Sequence, residues 1–302
     1  MDSNSIYYKQ VKLLIGALPA VAEQPCFALK GGTAINLFIR DLPRLSVDID
    51  LTYIKHGTFK ECAADITRAM QNIQQDLQDQ GLKVTTSKQK DGTITRLIVS
   101  NDEVQIKIET TPVLRETVNP PTVQAVQPNI EAQFGFAEIN MLDFNDLYAG
   151  KLCAALDRQH PRDLFDVKLL LENEGITETL KNTFLVYLIS HSRPMAELLQ
   201  PNRKALQDVF TKEFESMTSI PVSVQQLEET REQMIAELHD ALTSADKAFL
   251  LDIKRSNPDW SKFYYPQAQQ LPAVAWKLVN LDKMSSKAKM AAHEKLEKTF
   301  MI

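Results

Sequence analysis

The sequence predicts an α+β protein in which strands and helices interleave to about residue 140 and a mostly helical region follows. Two observations carry this. Before residue 112, several short segments alternate apolar and polar residues with period two, interspersed with segments of helical spacing. After Asp143 almost every apolar pattern is helical. At 302 residues, with 44% hydrophobic and 24% charged residues, the chain can bury a full core and has the composition of a folded globular protein.

The elements follow in order. Residues 5–22 (SIYYKQVKLLIGALPAVA) have helical spacing, with an interruption predicted near Gly16 and Pro19. The apolar run CFALK ends at Gly31, and TAINLFI after the glycine pair returns to helical spacing. LSVDIDLTYI is the clearest strand, because Val47, Ile49 and Leu51 alternate with Asp48, Asp50 and Thr52. Residues 59–80 form an amphipathic helix closed by Gly81, where glycine relieves a left-handed cap. LKVTTSKQK, TITRLIVS and EVQIKIETT read as a meander with DG and ND turns between them. Pro112, Pro120, Pro121 and Pro128 mark an irregular section. These shifts place a boundary near residue 140, giving regions 1–140 and 141–302, and a weaker one near 175.

Several function classes are excluded by composition. No stretch approaches the ~18 consecutive apolar residues of a membrane span, and the polar start MDSNSIYYKQ is not a signal peptide, so a cytoplasmic protein without membrane contact is expected. The three cysteines, Cys26, Cys62 and Cys153, form no CxxC and read as buried thiols. The five histidines show no metal spacing, so any metal must be a hard one held by carboxylates. A net charge of -5 argues against a general nucleic-acid coat. Residues 246–302 nevertheless carry 10 Lys and Arg against 6 acids, which leaves room for a locally basic face.

The chemistry starts from Asp48 and Asp50. Residues two apart on a strand face the same side, so two like charges project together and call for a neutralising partner. A solvated edge strand is one resolution; a divalent cation is another, since Mg²⁺ takes one or two carboxylates plus substrate phosphates. Two features favour the second. In EVQIKIETT, Val104, Ile106 and Ile108 form the apolar face, which leaves Gln105, Lys107 and Glu109 on the other, where Glu109 can join the aspartates. Upstream, Gly31 and Gly32 let backbone N–H groups approach phosphate without a Cβ in the way.

GGT, a helix and then RLSVDIDL resemble the first signature of the polymerase-β-type nucleotidyltransferases, in particular the AbiEii/AbiGii toxin family. The interval from Gly32 to Asp48 is longer than in the broad superfamily, but Arg44 and Ser46 match the variant R-x-S-x-D-x-D. A second signature, KLCAALDRQHPRDLFD, is similar to the second block of the same toxins. Read from the residues alone, Arg162, Asp163 and Asp166 can equally form a first-turn ion-pair cluster behind Pro161. FLLDIKRSNPDWSKF and LPAVAWKLVNLDKM resemble the family's C-terminal helices, with their tryptophans and leucines expected in the core.

The resemblance implies a small mixed sheet of the polymerase-β-like nucleotidyltransferase fold in region 1–140, with residues 143–170 completing the active site. It implies transfer of a nucleoside monophosphate from an NTP, with Asp48, Asp50 and Glu109 holding Mg²⁺ or Mn²⁺ and Glu109 assisting deprotonation of the acceptor. Gly31, Gly32 and Thr33 would hold the triphosphate. Lys151 would contact the phosphates, Asp163 or Asp166 would support the pocket, and Arg162 is grouped with the nucleotide-binding residues. Arg44 would either neutralise the strand's acids or touch phosphate. Ser46 lies two residues before Asp48, and a phosphate placed on it would repel the NTP. The expected biology is a toxin acting on the 3′ end of tRNA and restrained by an antitoxin. The alternatives are a protein or small-molecule acceptor, or a silent NTP-binding module.

Overall fold

The structure, a computed structural model, describes residues 5–112 and 116–301. The chain forms two compact units. One holds the residues up to Asp143 together with the short return Met217–Ile220; the other holds Phe144–Ser216 and Pro221–Ile302. No composition shift marks the return. It is tied to the first unit by a bridge between Arg44 and Thr218 and by Leu45 N–H donating to the Met217 carbonyl at 2.7 Å.

In the first unit α1 (Ile6–Ala22) runs without the expected interruption. Pro19 sits in the last turn, where its missing N–H removes a single bond, and Val11, Leu14, Leu18 and Val21 bury a continuous stripe that outweighs the loss. After β1 (Phe27–Lys30) the glycine pair opens α2 (Gly31–Thr33), which continues as a π-helical stretch, Ala34–Ile39. Then come β2 (Asp48–Tyr53) and α3 (Phe59–Asp79). Helix α3 starts in a capping box of Thr58 and Glu61 and ends before Gly81 at φ +83°. The expected meander follows as β3 (Lys83–Lys88), β4 (Ile94–Ser100) and β5 (Gln105–Thr111), paired antiparallel.

The stretch expected to be irregular holds β6 (Thr122–Ala125), α4 (Pro128–Phe134) and β7 (Glu138–Met141). Four-residue strands carry too few alternations to be read from sequence, and β6 is exposed along its whole length. Among the described residues the strands join one mixed sheet of order β3-β4-β5-β2-β1-β7-β6. Within it β2 runs parallel to β5, and β1 lies between antiparallel β2 and parallel β7. Ile49, Leu51, Leu97, Val99, Ile106 and Ile108 are buried, and α1 and α3 pack against the sheet. Asp48, Asp50, Lys107 and Glu109 point to the opposite face.

The second unit is helical: α5 (Phe144–Arg158), α6 (Pro161–Asn173), α7 (Glu178–Ser190), α8 (Met195–Leu199), α9 (Gln207–Glu213), α10 (Val224–Ala241), α11 (Ser244–Lys254), α12 (Pro272–Asp282) and α13 (Ser286–Thr299). Tyr148, Phe165, Phe184 and Phe214 are fully enclosed in its core. A buried pair, Lys181 with Asp246 at 2.9 Å, locks α7 to α11, and the same Asp246 caps α11 with Thr243. The tryptophans depart from the expectation of core positions. Helix α12 buries Val274 and Leu281, which leaves Trp276 on another side of the helix, 59% exposed with Lys283 over its ring. Trp260 is half-buried against Phe249 and Phe263.

All three cysteines are buried free thiols, and burial pushes Cys26 up to about 11. Among the described residues no helix is long and apolar enough to cross a membrane.

Candidate active site

The first unit brings eight of the expected residues onto and around one face of its sheet. Register does most of the placing: Asp48 lies opposite Lys107 and Asp50 opposite Glu109 across the parallel β2–β5 pair, so all four side chains share a face. The row through Asp50 extends both ways. Glu109 pairs with Arg96 on β4, and Asp50 pairs with Lys30 on β1. Four strands thus present Arg96, Glu109, Asp50 and Lys30 side by side, two acids flanked by two cations.

The glycine pair is fitted to this row. Gly31 has φ +78°, and a Cβ there would stand 2.8 Å from Asp50 Oδ2. A Cβ on Gly32 would stand 2.7 Å from Arg44 Nη2 and 2.8 Å from Ser46 Oγ. A Cβ at either glycine would displace side-chain atoms beneath the turn, and at Gly31 the positive φ adds strain of its own. Thr33 is 1% exposed and its hydroxyl donates within the protein, to the Asp48 carbonyl at 2.5 Å, with Ser46 Oγ at 3.0 Å. As placed, it positions the start of β2. Arg44 is buried, with Nη1 donating to the Leu45 carbonyl at 2.9 Å and Nη2 close to Gly32.

The electrostatics of the face are asymmetric. Burial raises the Asp50 pKa; Asp48 and Glu109 add to the rise while Lys30 and Lys107 oppose it. Burial also lowers the pKa of Lys30, against the pull of Asp50. For Glu109 burial acts upward, but hydrogen bonds and charge from Lys107 and Arg96 win and hold its carboxyl below the usual range. Lys107 Nζ lies 2.7 Å from Glu109 Oε2 and 3.7 Å from Asp48 Oδ2, and Arg96 Nε bonds Glu109 Oε1.

Asp48 and Asp50 supply hard oxygen donors on one strand face and fit a divalent cation of the Mg²⁺ type. Glu109, expected as the third ligand, shares their face, but both of its oxygens are engaged by cations. Among the described residues no set of three His, Cys, Asp or Glu side chains converges to hold a metal.

In the second unit the expected residues also gather. Lys151 on α5 lies 2.8 Å from Asp163 Oδ1 and 2.9 Å from Asp166 Oδ2, both on α6, and Arg158 reaches Asp163 Oδ2 at 2.8 Å. Lys151 is 7% exposed and Asp166 fully buried, so the cluster joins two helices as well as holding charge. Burial pushes Asp163 up, and Lys151 and Arg158 more than reverse this, leaving it below the usual range. Arg162 stands apart from the cluster, near Glu213 at 3.9 Å. His160 caps α6 by accepting from Arg162 N–H at Nδ1, which makes Nε2 the donor to Glu213 at 3.1 Å.

Sequence reasoning passed over Lys30, Arg96, Lys107 and Arg158. Lys107 was visible two residues before Glu109, and Lys30 directly precedes the glycines; Arg96 needed the β4–β5 register, which alternation alone does not supply.

Comparison with known proteins bears on the family and the fold. The family model described as nucleotidyl transferase AbiEii toxin, type IV toxin–antitoxin system, matches residues 12–280. Among solved structures, MenT4, a nucleotidyltransferase toxin from Mycobacterium tuberculosis H37Rv, superposes with a TM-score of 0.62 at 15% identity, covering 92% of this chain and 95% of that one. At that identity the likeness speaks for the fold. No curated protein matches the chain. With the family model spanning most of its length, the chain belongs to the AbiEii nucleotidyltransferase toxins of type IV toxin–antitoxin systems.

Proposed function

We propose that the protein transfers a nucleoside monophosphate from an NTP to a hydroxyl at the 3′ end of tRNA, that a divalent cation, Mg²⁺ or Mn²⁺, is required, and that a cognate antitoxin restrains it. The observation that carries the reading is the contact between Gly31 and Asp50. The glycine turn and the DxD strand meet closely, with Asp50 in the space that a side chain on residue 31 would enter. A tight glycine turn directly against the Asp50 carboxylate suits a nucleotide that arrives with a metal.

In the proposed reaction the acceptor hydroxyl oxygen bonds to the α-phosphorus, the bond from that phosphorus to the β-phosphate oxygen breaks, and pyrophosphate leaves. Asp48 and Asp50 would hold the cation, which supplies charge neutralisation for attacking and leaving oxygens. The acceptor proton leaves to solvent water, since Asp48 and Asp50 would be taken by the cation and both Glu109 oxygens are engaged by Lys107 and Arg96. Backbone N–H groups of Gly31 and Gly32 face the phosphates. The basic excess of residues 246–302 is compatible with an RNA acceptor.

The test is incubation of purified protein and Mg²⁺ with each α-labelled NTP and either total RNA or protein extract, beside Asp48→Ala. Label in the tRNA band that is lost in the variant supports the reading and identifies the nucleotide. Label confined to protein moves the acceptor to a protein hydroxyl. If NTP protects the fold in a melt but no label moves, the silent binding module is the better description.

A further inference from the structure

We propose that Glu109 is the anchor of a polyphosphate-binding pair, Lys107 and Arg96, and is not a metal ligand. The inference rests on the reading of this face as the NTP site. Its first support is geometric. Both Glu109 oxygens are engaged, Oε2 by Lys107 at 2.7 Å and Oε1 by Arg96 Nε. Nor is the arrangement an accident of one rotamer: Arg96 stands directly across the antiparallel ladder from Glu109, and Lys107 lies two residues before it on the same strand face.

The second support is the donor capacity left over. Lysine carries three N–H donors and arginine five in a fork that suits phosphate. Glu109 takes one nitrogen of each. The side chains of Lys107 and Arg96 remain 32% and 50% exposed, so both keep donors facing outward.

The third support is placement and charge. Lys107 lies opposite Asp48 in the parallel ladder, 3.7 Å from Oδ2, beyond hydrogen-bond range but close enough to pair electrostatically. A triphosphate held at Asp48 and Asp50 would therefore meet the Lys107 ammonium next along the face, and the Arg96 fork one strand further on. Glu109 is then a positioning residue: it aims two cations at a strongly anionic ligand and keeps them from collapsing onto the aspartates. Two carboxylates left for the cation agree with the one or two that Mg²⁺ usually takes from protein beside substrate phosphates.

The experiment measures two bindings on the full chain: Mn²⁺ by electron paramagnetic resonance, and NTP in the presence of Ca²⁺. The variants are Glu109→Gln, Lys107→Met, Lys107→Arg, Arg96→Met and Asp48→Asn, each checked by circular dichroism. We expect Asp48→Asn to lose Mn²⁺ affinity by about tenfold or more while Glu109→Gln stays within about twofold of wild type. Lys107→Met and Arg96→Met should each weaken NTP binding by about tenfold, the effect of deleting one charge-assisted hydrogen bond, with Lys107→Arg restoring part of it. In kinetics these changes should fall mainly on KM.

A tenfold loss of Mn²⁺ in Glu109→Gln would make Glu109 a ligand and overturn the proposal. So would tighter Mn²⁺ with unchanged NTP affinity in Lys107→Met, which would mark Lys107 as a mere occupant of the metal's place. If Asp48→Asn binds Mn²⁺ and NTP like the wild type, the whole face is not the NTP site, and the underlying reading fails along with this one.

Discussion

Gly31 shows how a single residue can be constrained from two sides. Its φ of +78° is a conformation that side chains rarely adopt, and the space beside it belongs to Asp50. Gly31→Ala should therefore cost roughly 1–3 kcal/mol in urea unfolding, as strained backbone positions do, and should reduce transfer by more than stability accounts for, because Asp50 must move. A different residue-scale effect governs Lys151. Removing it takes a cation from both buried aspartates and leaves Asp163 with Arg158, so Lys151→Met should lose about 3 kcal/mol, the lower end of the cost of breaking a buried pair by one partner.

The pH dependence at this cluster has a definite sign. Asp163 is held below its ordinary value in the folded state, so it binds protons more weakly than in the unfolded chain. Its contribution is fully present above the unfolded carboxylate pKa of about 3.9 and is lost as pH falls through the lower folded value. Acid unfolding followed by circular dichroism should begin at higher pH in Lys151→Met than in the wild type.

At the scale of elements, local signals and tertiary pairing contributed differently. Helix α3 was readable from end to end because its apolar stripe, its Thr58–Glu61 start and its Gly81 stop are all local. Thr58→Ala removes one half of the capping box and should cost about 1 kcal/mol by urea unfolding, with NTP binding unchanged, since α3 packs against the sheet and carries no site residue. Strands β6 and β7 were not readable, because four residues make too short a period. Helix α1 was misread at Pro19 because a breaker residue is a local signal, whereas the stripe that overrides it is satisfied only by packing.

For the whole molecule, the division into two units with separate cores predicts a departure from two-state unfolding. Calorimetry should resolve more than one transition. Ile49→Ala, in the sheet core of the first unit, should lower one of them, and Asp166→Asn, in the buried cluster of the second, should lower another. A single transition shifted equally by both variants would show that the units unfold as one.

Lys151 was singled out by the family resemblance; the sequence by itself determined a strand with Asp48 and Asp50 on one face, a glycine pair upstream, Glu109 on a strand with the matching alternation, and Asp163 and Asp166 within one turn of a helix. These follow from periods of two and 3.6, which belong to the local chain. Only the tertiary structure decided which neighbour each acid meets. Strand pairing set Glu109 beside Asp50 and gave it Arg96 and Lys107 as partners, placed Lys30 on the far side, and brought Asp50, Arg44 and Ser46 up beneath Gly31 and Gly32. Register and close approach depend on residues far apart in the chain, and no local period encodes them.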